Sequence, residues 1–373
     1  MSLAAVFVLA AVACRGDDVP DTRPQAVATR GAEHPTPSLD ERGLLTLDSL
    51  GVLATYGMNE SEGRDAILQR PLDAAFLGEH VLVLDASAPW VRRFELDGRF
   101  DSALVRSGEG PGEATQPHTL AATQDGFLLS HSRGIERFGA SGDLIASMRD
   151  PWLRGAGAVE CDGGLFATSE SRIDASFIVS RALKHLGSDG MEWDTLAVYS
   201  PARHSTRNMW TWFADVRDGT VLVYTEEEHR PRLERWSCDG GDLLGELALD
   251  SIGPGLAYRG DASRIEATLA RAPHPAGLAR ISDRTLWATR RITSESDSIT
   301  MVEAFDDSGG KRRLPIDGWY QIFDADAAGR LLLGNSWTLG NNWRYGASTG
   351  DTPAVLLVDG HALLAAVDAH GTR

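Results

Sequence analysis

One short pattern recurs six times along the chain: a large apolar residue, two variable residues, a small or polar one, then glycine. It reads FELDG ending at Gly98, FGASG at Gly142, LGSDG at Gly190, WSCDG at Gly240, FDDSG at Gly309 and VDAHG at Gly371. Ahead of each copy stand a polar turn and a very short apolar run: VLVL at 81–84, FLLS at 127–130, LFAT at 165–168, VLVY at 221–224, LWAT at 286–289 and LLLG at 331–334. The two landmarks alternate strictly. Asp-Gly between apolar runs marks a tight hairpin, because glycine accepts the positive φ such turns need. Each unit therefore reads strand, turn, strand, loop, strand, turn, strand. That is an antiparallel meander of roughly 45–50 residues, the size of one β-propeller blade.

Six units predict an all-β fold, a six-bladed β-propeller of four-stranded antiparallel blades, over residues 43–373. The 373 residues exceed what one simple core usually serves, and a radial array shares its core between neighbours. The 39 glycines suit many tight turns. The last pattern copy is followed by only two residues of this sequence, so blade six is expected to lack a fourth strand. LLTLDSLGVLATY at 44–56 has no blade of its own and is expected to complete blade six and close the ring. A two-domain all-β arrangement without a closed ring is the weaker alternative.

SGEGPGE at 107–113 looks like a phosphate-binding loop. It lacks the GK[ST] ending and a following helix, and its glutamates would repel phosphate. It reads as the connector from blade one to blade two. GMNESEGRDAILQRP at 57–71 parallels it before blade one. The RSGEGPGE…QP segment resembles bacterial six-bladed propeller lipoproteins related to NHL-repeat and TolB-like propellers. That resemblance, sharpest at GEGPGE (108–113), implies an exported, anchored propeller and no particular activity.

Residues 3–13, LAAVFVLAAVA, have the length of a signal-peptide core and are too short to span a bilayer. The run stops at Cys14, and Ala11-Val12-Ala13-Cys14 resembles a bacterial lipobox, although Ala11 stands where Leu or Val is commoner. Residues 1–13 are thus read as a lipoprotein signal peptide and Cys14 as the lipid attachment. The Pro-punctuated stretch 14–42 is read as a disordered tether. The expected address is the cell envelope, with the membrane contacted through the lipid only. The net charge of −17 excludes a nucleic-acid partner, because phosphate binding needs clustered Lys and Arg. The expected state is a monomer. Cys161 and Cys238 both occupy CDGG turns, one expected near the channel and the other near the rim of the next blade, so two free thiols are expected.

The 2–3 turns and blade-to-blade loops of such blades emerge on one face, and the 1–2 and 3–4 turns on the other. The first face carries Trp90, Arg133, Arg172, His229, Arg290, Trp337, Asn341 and Trp343, the last three in the long loop 335–353. Aromatic faces beside Arg and Asn suit a protein, peptide or glycan ligand. Trp210 and Trp212, which flank a first strand, are expected to wedge between blades. The main reading is therefore a binding or scaffold propeller with no catalytic residues, cofactor or metal. The alternative is a metal-dependent hydrolase or lyase at the channel mouth. For that, His118, His131, His204 and His229 lack ligand spacing, and no serine sits in a G-x-S-x-G elbow. Asp73, Glu160, Asp215 and Asp324 are expected on solvated channel walls, and Glu226-Glu227-Glu228 in a solvated loop.

Overall fold

A computed structural model describes residues 37–149, 153, 157–171, 180–187, 192–199, 214–227, 230–249, 274–292, 298–306, 309–335 and 354–372. Its strands form six antiparallel four-stranded blades arranged as a ring. A helical turn, α1 (Leu47–Leu50), precedes strand β1 (Val52–Tyr56). Blade one is β2 (Pro71–Leu77), β3 (His80–Asp85), β4 (Val91–Glu95) and β5 (Phe100–Ser107), with the two-residue β6 (Glu113–Ala114) added in parallel along β5. Blade two is β7 (Pro117–Ala122), β8 (Gly126–His131), β9 (Gly134–Gly139) and β10 (Leu144–Met148). Blade three is β11 (Ala158–Cys161), β12 (Gly164–Ser171), β13 (Ser180–Leu186) and β14 (Trp193–Tyr199). Blade four is β15 (Ala214–Arg217), β16 (Thr220–Glu227), β17 (Arg230–Ser237) and β18 (Leu243–Ala248). Blade five is β19 (His274–Ile281), β20 (Arg284–Ile292), β21 (Ser298–Phe305) and β22 (Lys311–Asp317). Blade six takes β23 (Gln321–Ala325), β24 (Arg330–Gly334) and β25 (Val355–Asp359) from the C-terminal end, and β1 is its fourth strand.

The short apolar runs of the repeat are the second strands, buried on both faces. Val81, Leu82, Val83 and Leu84 of β3 are all fully buried, as are Phe127 and Leu129 of β8. Burial on both sides follows from stacking. In β3, Val81 and Val83 pack toward blade six with Tyr56 and Leu357, while Leu82 and Leu84 pack toward blade two with Phe127 and Phe138. One strand thus contributes to two interblade cores, so its apolar residues run continuously rather than alternating with polar ones.

The sixth pattern copy, VDAHG, is not a hairpin turn. It lies in helix α2 (Gly360–His370), capped by Asp359, whose carboxylate accepts from the His361 and Ala362 N–H groups. Leu363, Ala366 and Val367 of α2 pack into the blade five–six core. The true counterpart of the turn is LLVDG, ending at Gly360, where β25 gives way to the helix. The N-terminal stretch is also less regular than one strand. Leu45 bridges Ile316 of β22, α1 follows, and only Val52–Tyr56 pairs with β25, Tyr56 lying opposite Val355.

Candidate functional site

The two faces of the ring differ in how their polar groups are satisfied. On the lower face, which carries the 1–2 and 3–4 turns, short acidic side chains complete the turns. Asp97 accepts from the Arg99 backbone and side chain, and Asp306 accepts from the Gly310 N–H. Asp326 accepts from the Ala328 and Arg330 N–H groups and pairs with the Arg330 guanidinium. Asp162 and Asp218 adopt positive φ, 48° and 51°, ahead of Gly163 and Gly219. Such residues reach that conformation at modest cost because their side chains bond locally.

Two cysteines correct the expectation of free thiols: Cys161 and Cys238 form a disulfide on this face, with Cα atoms 5.5 Å apart. A cysteine at the end of an inner strand and one in the turn just after the third strand of the next blade do meet, because blades stack face to face with a twist. Cys238 donates its N–H to Gly219, and Gly219 lies against the Asp162 carboxylate beside Cys161. The radial separation inferred from strand order therefore vanishes across the interface. Cys161, Asp162 and Cys238 are also the one group of three potential metal ligands close together among the described residues. Two of the three are joined to each other.

Around the channel, the inner-strand acids join neighbouring blades. Asp73 accepts from Ala74 N–H and, across the interface, from Leu120 N–H of β7. Asp324 accepts from Ala325 N–H and from Phe76 N–H of β2. They stitch blade one to blade two and blade six to blade one. Both keep some surface toward the channel yet are enclosed by the ring. Burial pushes each carboxyl up to about 7, against the backbone bonds that favour its charge. Asp215 pairs with Arg280 of blade five, and Glu160 with Arg137, 3.2 Å away. These groups are thus bonded components of the ring rather than a merely solvated wall.

On the upper face, charged side chains are buried at the ends of second and third strands. Blade one shows such a charge fully provided for. Arg92 is paired with Asp85 at 2.9 Å, both almost wholly buried, and its Nε donates to the Asp65 carbonyl. Asp85 in turn accepts from Gln69 and Arg70 N–H, which pins the 57–70 connector. Blade two is less complete. His131 and Glu136 are fully buried and 3.6 Å apart, and His131 Nδ1 accepts from Arg133 N–H, yet His131 Nε2 and Glu136 Oε2 have no hydrogen-bond partner. Nearby His118 is held below the usual imidazole range, first by burial and then by His131. In blade four, the buried Thr225 hydroxyl is unpartnered too.

Blade five carries the extreme case. Arg290, 2 % exposed, has Nε and Nη1 buried with no partner, and the Trp319 ring lies over it, 4.7 Å from Cζ to centroid. Burial alone pushes the guanidinium down to about 9, so it remains a cation at neutral pH.

Of the eight candidate ligand-binding residues on the upper face, the structure places three. Trp90 is half-buried, and its indole N–H donates to the Ala114 carbonyl at the end of the GEGPGE connector. Arg133 reaches the same connector, its Nη2 donating to the Gly108 carbonyl. Arg290 lies buried across the ring in blade five. Arg172, His229, Trp337, Asn341 and Trp343 lie outside the described residues, as do Cys14, His204, Trp210, Trp212 and the 226–228 side chains. Glu136, Thr225 and Trp319 were not anticipated. The available signal was a polar residue at the upper end of a buried strand, which is legible only once strand ends are known.

The chain is similar to several solved structures. A Bacteroides fragilis protein inferred to be exported matches at 12% identity over 83% of this chain and 95% of its own, with a TM-score of 0.51. A gluconolactonase from Xanthomonas campestris matches at 13% identity over 78% and 86% of the two chains, with a TM-score of 0.46. The β-propeller domain of the trilobed protease of Pyrococcus furiosus matches at 11% identity over 78% and 95%, with a TM-score of 0.43. Likeness at these identities is of fold, and a propeller hosts many functions. No protein-family model and no curated protein matches the chain.

Proposed function

We propose that this chain is a ligand-binding propeller of the bacterial cell envelope, anchored by a lipid at Cys14, that takes a protein, peptide or glycan on its upper face. The observation that carries the reading is the contrast between the faces. The lower turns satisfy most of their own polar groups, with Glu160 Oε2 and His185 Nε2 the unpartnered buried atoms toward that end, whereas upper strand ends hold more such atoms, on His131, Glu136, Thr225 and Arg290. Buried polar groups are normally bonded, and unpaired ones concentrate where something else supplies the partner. The Cys161–Cys238 disulfide supports export, since such bonds persist in oxidising compartments. None of the described helices is long and apolar enough to cross a membrane, so the anchor assigned to Cys14 is the membrane contact in this reading.

A metal-dependent hydrolase in the channel would have to draw on Asp73 and Asp324. Both oxygens of each already accept backbone N–H groups, one from the residue that follows and one from the next blade. One equivalent of zinc lost on replacing His118 or His131, or of calcium lost on Asp215→Asn, in chelator-free protein would restore that alternative.

The test of the binding reading is a panel of peptides and envelope glycans probed with the labelled full chain. The variants are Trp337→Ala, Trp343→Ala and Arg133→Ala for the upper face and Arg99→Ala for the lower. The expected result is a saturable ligand weakened about tenfold or more by an upper-face variant and unaffected by Arg99→Ala, as for a contact at an interface centre. A panel without a binder, or equal loss from both faces, overturns the reading.

A further inference from the structure

We propose that Arg290 and Trp319, at the upper junction of blades five and six, form the floor of an oxyanion subsite that takes a carboxylate or phosphate group of the ligand. The inference rests on the upper-face reading above and names the chemistry of one part of it.

Arg290 stands near the upper end of β20, opposite Thr300 of β21. It is an ionic group held inside the protein without a counter-ion among the described residues. Nε and Nη1 are both buried and unbonded. The neighbouring hydroxyl offers nothing: Thr300 Oγ1 donates toward the Gly318 and Tyr320 carbonyls and accepts from Tyr320 N–H. The described acids of blade five lie elsewhere, Asp283 in the turn between β19 and β20 and the others in contacts of their own. Glu303 faces Lys311, Asp317 pairs with Arg42, and Asp306 completes its own turn. The Trp319 ring face offsets part of the desolvation through its quadrupole. A ring cannot accept the in-plane N–H bonds, however, and a buried charge without a paired anion is strongly unfavourable.

The same chain shows what a buried arginine looks like when its partner is built in. Arg92 has Asp85, the Asp65 carbonyl and the Ser87 carbonyl and hydroxyl around it. Among the described residues, Arg290 has the equivalent burial and none of these. A water molecule could accept its N–H groups but would leave the net charge in place. An oxyanion does both, and guanidinium is the side chain best suited to hold one. Carboxylate and phosphate share this chemistry.

The experiment is thermal unfolding and calorimetric titration of the full chain with sodium succinate and with sodium phosphate, against sodium chloride at matched ionic strength. Wild type, Arg290→Met and Arg290→Lys are compared. Wild type should gain melting temperature saturably with one of the two oxyanions and not with chloride. Arg290→Met should lose at least tenfold in affinity, and Arg290→Lys should keep a weakened response. Without oxyanion, Arg290→Met should melt no lower than wild type, because methionine removes a charge and leaves no unpaired acid behind. A stronger response to succinate assigns a carboxylate, and a stronger response to phosphate assigns a phosphate.

No response in wild type, or an equal response in Arg290→Met, overturns the proposal. So does an Arg290→Met protein that melts well below wild type with no oxyanion effect, since the guanidinium is then paired within its own chain. A panel ligand that binds wild type and Arg290→Met equally, yet is lost in Trp337→Ala or Arg133→Ala, defeats the subsite and leaves the binding face standing. A ligand lost through Arg99→Ala defeats the binding face instead.

Discussion

Asp73 and Asp324 carry opposing demands at single residues. Each accepts a backbone N–H from the next blade, which favours the carboxylate, and each is enclosed by the ring, which favours the acid. Burial wins, raising both from the ordinary 3.8 to about 7. Between about pH 4 and 7 the folded protein keeps protons that the unfolded chain has released. The contribution of these groups is therefore greatest below pH 4 and declines as pH rises, by up to about 1.4 kcal/mol per pH unit for each group. Channel water will reduce that figure. The double variant Asp73→Asn/Asp324→Asn keeps an amide oxygen to accept the interblade N–H groups. It should show a flatter stability profile between pH 5 and 8 and be the more stable protein at pH 8. Denaturant titrations at several pH values measure both. A wild-type profile that already rises from pH 5 to 7 would show that these carboxylates are charged and stabilising.

At the scale of the element, β1 decides whether blade six has a free edge. Tyr56 is wholly buried, its hydroxyl donates to the Leu96 carbonyl, and its ring meets Phe94 edge-on at 5.6 Å. One residue of the N-terminal strand is thereby tied into blade one as well as blade six. Tyr56→Ala should cost about 3–5 kcal/mol, as large-to-small changes in tight cores do. Removing residues through Tyr56 would leave β25 as an open edge, and such edges recruit other chains. Size-exclusion chromatography with light scattering should show oligomers for the truncated protein and a monomer for the full chain. A monodisperse, cooperative truncated protein would mean that β25 does not need its partner.

For the whole molecule, the Cys161–Cys238 bond joins blades three and four across a sequence separation of 77. It closes a long loop, so reduction should cost about 2–5 kcal/mol in stability. Melting with and without a thiol reductant reads this directly, and Cys161→Ser/Cys238→Ser should match the reduced protein. Intact mass before and after alkylation counts the thiols: two labels on non-reduced, unfolded protein would show that the pair is open. The bond matters to the ring because a propeller is only as stable as its weakest interface, each blade being supported by its two neighbours.

The number of blades, the four-strand order within each and the vacancy in blade six were all legible in the chain. They depend on local signals: Asp-Gly turns, short runs such as VLVL and LLLG, and a strand-like segment left over at the N-terminal side. The landmark VDAHG was misleading because it falls at the end of α2, with Asp368 inside the helix and Gly371 just past it, while the Asp-Gly pair at the strand end is Asp359-Gly360, which caps the helix. What faces what was decided by tertiary structure alone. Cys161 and Cys238 meet because twisted blades bring the end of an inner strand of one beside the turn just after the third strand of the next. Arg92 and Arg290 look alike in sequence, one in VRRF and the other in TRRI. Only the folded ring gives the first an aspartate and seats the second beneath a tryptophan with none among the described residues. Turn and strand propensities act over a few residues and can be read along the chain. Pairing of buried charges depends on neighbours brought together by the closing of the ring, and no local pattern records it.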